Sequence, residues 1–216
     1  MSRPEFQSLI REQAKNYDPA CSTIIKTIPG PLGKQFKIYD QQWYQKELNK
    51  FELFFEGEIM LGSIKIVREF VNVKDRCARD DSFKDFDHFC YYTKVVDTNI
   101  EDPLASLGLV HGFIQNQNNC FFESAIHHAL NGFEVHMIDL RGYGCSSSVR
   151  CKDFNLYDSH EHIGMMINKF RDDKPAFIVG HSMGCKITQT FLLRNPEVNL
   201  AGVIYTAPFF RFAASI

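Results

Sequence analysis

The chain has 216 residues, of which 44% are hydrophobic and 13% aromatic, and this is enough apolar material for one sizeable packed domain. Its formal net charge of −2, with Lys and Arg scattered along the chain, gives no electrostatic reason to expect nucleic acid as a partner. The sequence lacks the order of charged, apolar and small residues that marks a signal peptide, and it lacks an apolar run of about 18 residues, so we expect a cytoplasmic protein.

The first 45 residues are predicted to form an irregular extension, because they are polar and show no sustained hydrophobic periodicity. The remainder, 46–216, is predicted to be one core domain. It begins with "FELFFEGEIMLGSIKIVREF" (51–70), whose aromatic and β-branched residues predict paired antiparallel strands. After a charged loop, "HFCYYTKVV" (88–96) is the next predicted strand.

From residue 105 onward, short apolar runs alternate with segments of helical periodicity. The predicted strands are "ASLGLV" (105–110), "FEVHMID" (133–139), "PAFIVG" (175–180) and "LAGVIYTA" (200–207). The predicted helices carry apolar faces over 122–129, over 163–170 and from 187 onward. This order predicts an α/β fold with a parallel sheet, helices on both faces and a functional site at the carboxyl ends of the strands.

The segment Gly180-His181-Ser182-Met183-Gly184 is a G-x-S-x-G motif between a predicted strand and a predicted helix. In that context the motif indicates a sharp turn that exposes the serine oxygen at the edge of the sheet. We expect a strained backbone at the serine, and glycines on both sides where strand and helix crowd together. Ser182 is therefore a candidate nucleophile, and a glycine-rich turn without chemistry is the alternative.

Three motifs together resemble the α/β-hydrolase superfamily, and most closely its branch of monoacylglycerol lipases, lysophospholipases and serine aminopeptidase S33 domains. They are "LVHGF" (109–113), "IDLRGYGCSS" (138–147) and "VGHSMG" (179–184), each after its own predicted strand. The resemblance is dense over 105–209. It implies an α/β-hydrolase-type, mostly parallel sheet that ends, in this chain, after the strand that follows the nucleophile helix.

The resemblance also implies roles for individual residues. Ser182 would be the nucleophile, and the backbone N–H groups of Phe113 and Met183 would form the oxyanion hole. Removing one such donor typically costs about 3–4 kcal/mol of transition-state stabilisation. His111 and Gly112 would shape the turn that presents the Phe113 donor, with His111 bonded to nearby backbone.

Other polar residues are expected to be structural. Asp139 and Arg141 are predicted to pair or to bond local backbone, with contact to the leaving group or cap as the alternative. His181 is not expected to be the base, because adjacent side chains at a sharp turn point apart. The remaining His and Glu groups that could suggest a metal site are His160-Glu161-His162 and Glu123 with His127, and neither has three convergent ligands.

The seven cysteines are widely spaced, contain no C-x-x-C pair and are predicted to be free thiols. The absence of such a pair gives no support for a structural zinc site. No metal and no cofactor are expected.

The catalytic partners of the serine are missing from the sequence. In the family they follow the nucleophile as Asp or Glu and then His. No His or Asp follows Ser182, all eight His lie at or before position 181, and Glu197 precedes the last predicted strand, where the acid is not expected. We therefore expect an N-terminal fragment of a longer enzyme that lacks the later strands, the cap, the acid and the base, and that is inactive alone.

The function implied by the resemblance is that of a serine hydrolase. It would cleave carboxylic esters of the monoacylglycerol or lysophospholipid type through a Ser182 acyl-enzyme, with transient contact to a membrane surface. One alternative is a serine hydrolase of the aminopeptidase type with the same fold. The other is a non-catalytic α/β-hydrolase-like binding or regulatory protein, in which the missing acid and base are truly absent.

Overall fold

The computed structural model describes residues 24–29, 35–39, 56–74, 87–146 and 159–209. The strands in this part of the chain are β1 (Ile24–Pro29), β2 (Gln35–Tyr39), β3 (Gly57–Leu61), β4 (Ile64–Lys74), β5 (Asp87–Asp97), β6 (Ala105–Val110), β7 (Phe133–Ile138), β8 (Ala176–His181) and β9 (Gly202–Thr206). The helices are α1 (Gln117–Leu130), α2 (His160–Ile167) and α3 (Met183–Arg194). The predicted charged loop after β4 and the start of the predicted strand pair at 51–55 lie outside the described residues.

A mixed sheet of seven strands forms the centre of the protein, in the order β3-β4-β5-β7-β6-β8-β9. Strands β3, β4, β5 and β7 pair antiparallel in that order, whereas β7, β6, β8 and β9 pair parallel. Only β3 and β5 therefore run against the direction of the other five strands in this sheet. This confirms the predicted mostly parallel sheet.

Helices cover both faces of the sheet, as predicted. On one face, α1 buries the four residues that its sequence period indicates: Phe122, Ala125, Ile126 and Ala129. On the other face, α2 and α3 bury Ile163, Met166, Ile187 and Phe191. Successive strand residues alternate between these two cores, so Leu109 packs under α1 and Val110 packs under the other helices. Every residue of β6 is buried because the strand is covered on both faces.

The structure defines two helix boundaries, one of which differs from the sequence expectation. Helix α1 begins at Gln117 because Asn116 and Asn119 form a capping box, in which Asn116 Oδ1 accepts from the backbone N–H of Asn119 and Asn119 Oδ1 accepts from that of Asn116. Helix α2 ends at Ile167, so the prediction that Phe170 lies on its face was wrong. The Phe170 ring packs instead against the buried ring of His136, with centroids 4.7 Å apart.

A separate two-stranded antiparallel sheet lies near the N-terminus, formed by β1 and β2. The prediction that this stretch is irregular was wrong for these strands. The alternation of apolar and polar residues in "QFKIY" is a strand signal that the composition of the whole extension obscured. The proposed domain boundary at residue 45 stays a prediction. Within the described ranges, no helix is long and apolar enough to cross a membrane.

Candidate active site

Ser182 lies alone between β8 and α3, in the strained turn that the G-x-S-x-G motif predicts. Its φ is 51° and its ψ is −114°, a conformation that costs a residue with a side chain about 1–3 kcal/mol. Three backbone hydrogen bonds hold it there. The Ser182 N–H donates to Thr206 O (2.9 Å), and Ser182 O accepts from the N–H groups of Cys185 (3.1 Å) and Phe209 (3.2 Å).

Both motif glycines lie where backbones approach closely. A β-carbon on Gly184 would lie 2.3 Å from Val110 O and 2.7 Å from His111 O, at the end of β6. A β-carbon on Gly180 would lie 2.9 Å from the Cα and N atoms of Cys185 in α3. The neighbours in both cases are backbone atoms, which cannot rotate away. The turn can therefore bring helix and strand together only with glycine at these positions.

His111 is fully buried and ties two loops together. Its Nε2 accepts from the N–H of Leu140 (2.9 Å), so the ring proton is on Nδ1, which donates to Gly112 O (2.8 Å). Burial lowers the pKa of His111 to about 4, although the bond to Gly112 O acts in the opposite direction. The imidazole is thus neutral at pH 7 and joins the loop after β6 to the loop after β7.

The same loop borders Ser182. A β-carbon on Gly112 would lie 3.0 Å from Ser182 Cβ and 3.3 Å from His181 Cδ2. Among the described residues, neither the N–H of Phe113 nor that of Met183 has a hydrogen-bond partner. Met183 is the first residue of α3, where the helix leaves N–H groups unpaired and carries partial positive charge. The described residues therefore leave two N–H groups unpaired, one next to Ser182 in the chain and one on the loop that contacts it.

His181 is held against the last strand of the sheet. Its Nδ1 lies 3.1 Å from Thr206 Oγ1, and Thr206 Oγ1 donates its proton to Gly180 O at 3.1 Å. Because that hydroxyl has one proton, His181 Nδ1 is the donor to Thr206. In the part of the chain that the structure describes, no imidazole is hydrogen-bonded to Ser182 Oγ.

Asp139 is buried and braces the loop after β7. Its Oδ1 accepts from the N–H of Gln117 and its Oδ2 from the N–H of Cys145, each at 2.8 Å. Burial raises the pKa of Asp139, and the two backbone hydrogen bonds and the charge of Arg68 act in the opposite direction. Gly144 has φ 51°, and a β-carbon there would lie 1.9 Å from Asp139 Oδ2. These contacts to backbone N–H groups agree with the predicted structural role of Asp139.

The remaining candidates do not form a site. His162 Nδ1 accepts from the N–H of Arg141 at 3.2 Å, and His160 lies against the guanidinium of Arg194 at 3.4 Å. Glu197 is exposed in the turn before β9. Over the described ranges, no three or more His, Cys, Asp or Glu side chains are placed to bind a metal ion.

Sequence reasoning missed Arg68, which is only 1% exposed in β4. Its Nη2 donates to Asn118 Oδ1 (2.5 Å), and its guanidinium lies 5.1 Å from the centroid of the Phe122 ring. Arg68 therefore holds the start of α1, the helix that follows the loop containing Phe113. The alternation of buried Ile64 and Ile66 with partly exposed neighbours is the signal that could have placed position 68 on the inner face.

Comparison with known proteins agrees with this architecture. The family model described as serine aminopeptidase, S33, matches residues 101–216, which is more than half of the chain. Among curated proteins, none matches the sequence significantly.

Solved structures share the fold. The thioesterase domain from the curacin biosynthetic pathway has 18% identity and a TM-score of 0.52, over 69% of this chain and 49% of that one. A thermostable carboxyl esterase from Bacillus coagulans has 19% identity and a TM-score of 0.50, over 64% of this chain and 43% of that one. The chain thus spans less than half the length of either structure.

Proposed function

Because the chain belongs to the serine aminopeptidase S33 family of α/β-hydrolases, we propose that it is part of a serine hydrolase whose nucleophile is Ser182. The observation that carries the proposal is the strained turn between β8 and α3, which sets Ser182 beside the loop after β6. Such strain persists only where the surrounding structure enforces it, and it is concentrated at functional sites.

In the proposed reaction, Ser182 Oγ attacks the carbonyl carbon of an ester and the carbonyl oxygen becomes negatively charged. The N–H groups of Phe113 and Met183 would donate to that oxygen and stabilise it in the transition state. The C–O bond to the alcohol then breaks, the alcohol leaves with a proton, and water hydrolyses the acyl-enzyme.

The Ser182 proton must pass to a base, and none of the described imidazoles is hydrogen-bonded to it. This chain covers less than half of each matched structure. We therefore propose that the acid and the base come from further sequence of the same protein.

The proposed substrates are carboxylic esters of the monoacylglycerol or lysophospholipid type. Two large apolar side chains at the loop beside Ser182 support an acyl chain as the group bound there, since Phe113 is 55% exposed and Ile114 is 73% exposed. An aminopeptidase of the same fold remains the second candidate, because the matched family carries that description. A panel of glyceryl esters and aminoacyl amides separates the two by relative kcat/KM.

A fluorophosphonate probe tests the nucleophile directly. We expect the full-length protein to be labelled at Ser182, which mass spectrometry of the labelled peptide would identify, and we expect Ser182→Ala to be unlabelled. A folded full-length protein that the probe does not label would refute the serine hydrolase and favour the non-catalytic alternative. Labelling that persists in Ser182→Ala would refute Ser182 as the nucleophile.

A further inference from the structure

We infer that Gln115 is a positioning residue that holds the oxyanion-hole loop in its reactive conformation, an inference that rests on the proposed function. The Gln115 side chain turns back along the chain, and its Oε1 accepts from the N–H of Gly112 at 3.0 Å. Because a backbone N–H can only donate, this contact fixes which end of the Gln115 amide faces the loop.

The loop needs such a bond because its tip is largely exposed, with one edge-on ring contact between Phe113 and Tyr143. Phe113 and Ile114 are both exposed, and Ile114 has a φ of 57°, which is unfavourable for a β-branched side chain. Gly112 adds the widest backbone freedom of any residue. With little burial to select one conformation, hydrogen bonds to side chains must select it.

Two side chains hold Gly112 from its two ends. His111 Nδ1 donates to the Gly112 carbonyl, and Gln115 Oε1 accepts from the Gly112 N–H. The carbonyl of Gly112 and the N–H of Phe113 belong to one planar peptide group and point in opposite directions. A rotation that changes the direction of the Phe113 N–H must therefore break the bond to His111. A rotation of the preceding peptide group, which carries the Gly112 N–H, must break the bond to Gln115.

Gln115 also lies close to the nucleophile. A β-carbon on Gly112 would lie 2.7 Å from Gln115 Oε1 and 3.0 Å from Ser182 Cβ, so both residues pack against the same glycine. The Cys120 thiol donates to Gln115 Oε1 as well, at 3.5 Å, and this links the loop to α1. Loss of the Gln115 carbonyl should therefore shift the loop at the point where it contacts Ser182.

The test compares three variants of the full-length protein. Gln115→Leu keeps the size of the side chain but has no acceptor, and Gln115→Glu keeps an acceptor oxygen. Gln189→Leu is the matched control, because it makes the same change on α3, where, among the described residues, Gln189 Oε1 accepts only from Lys186 Nζ. The readouts are amide hydrogen exchange at Gly112, the rate of fluorophosphonate labelling, and kcat and KM for an ester substrate.

We expect faster exchange at Gly112 in Gln115→Leu, with labelling and kcat lowered about 10- to 100-fold and KM little changed. Gln115→Glu should restore the protection of Gly112 and react faster than Gln115→Leu, and the control should match the wild type. Unchanged labelling in Gln115→Leu, or equal exchange at Gly112 in it and the wild type, would overturn the inference. If the folded wild type is not labelled, the proposed function fails, and exchange at Gly112 alone decides whether Gln115 holds the loop.

Discussion

Gly184 gives the sharpest test of the site's geometry, because one methyl group must displace a defined backbone atom. In Gly184→Ala the new carbon would lie 2.3 Å from Val110 O and 2.7 Å from His111 O, well inside any normal contact. To relieve the overlap, either the start of α3 or the loop after β6 must move. Each of these carries one of the two N–H groups proposed to stabilise the oxyanion.

Gly164→Ala is the matched control, since it makes the same change in α2. The new carbon there would lie 3.3 Å from the ring edge of Phe191, a side chain that can shift by a few tenths of an ångström. Alanine favours a helix by up to about 1 kcal/mol over glycine at either position. Overpacking costs about 1–3 kcal/mol, so Gly184→Ala should lower the free energy of unfolding by about 1–2 kcal/mol and Gly164→Ala should leave it equal or higher.

Urea unfolding followed by far-ultraviolet circular dichroism measures the two changes, and fluorophosphonate labelling measures the effect on the site. We expect labelling to slow by about tenfold or more in Gly184→Ala, because small displacements of reacting groups are costly, and to stay unchanged in Gly164→Ala. A Gly184→Ala protein with the stability and reactivity of the wild type would refute the close approach of α3 to the end of β6. Equal losses in both variants would refute it as well.

Two further predictions concern Ser182 and His111. Ser182→Gly should unfold with a free energy about 1 kcal/mol higher than Ser182→Ala, because glycine tolerates φ 51°; equal stabilities in urea would contradict the strain. The pKa of His111 is lowered from 6.5 to about 4, so its contribution to stability is complete above pH 6.5 and falls by about 3 kcal/mol as the pH drops toward 4. The unfolding free energy of His111→Asn should therefore depend less on pH over that range than that of the wild type, and parallel curves would exclude a buried neutral imidazole.

The sequence predicted the fold well where a feature depends on residues that are close together in the chain. The apolar run at 105–110 coincides with β6, since a strand buried on both faces must be apolar at every position. The helical period beginning at Phe122 identified four of the five residues that α1 buries, all but Gln117. The G-x-S-x-G motif predicted the strained turn, because only a turn between strand and helix needs glycine on both sides of an exposed serine.

Other features depend on contacts that a single sequence does not reveal. The start of α1 rests on a capping box in which Asn119 takes the place usually held by Glu or Gln. The period of two in β4 places Arg68 on the inner face, but an arginine is typical of an exposed position, and the sequence does not reveal its bond to Asn118, fifty residues away. The hydrogen bond from Gly112 to Gln115 joins residues that are close in sequence. Even so, nothing in the sequence distinguishes that glutamine from any other polar loop residue until the loop conformation is known.

The topology explains why three motifs that are distant in sequence meet at one place. Strands β6, β7 and β8 are parallel neighbours, so the loops that follow them leave the same edge of the sheet. His111 then joins the first loop to the second through Leu140, and Gly112 contacts Ser182 in the third. Because the first loop contacts both of the others, a change in the loop after β7 can reach the nucleophile through His111 without touching it. The neutral state of His111 is thus a condition for the geometry of Ser182, although the imidazole takes no proton in the proposed reaction.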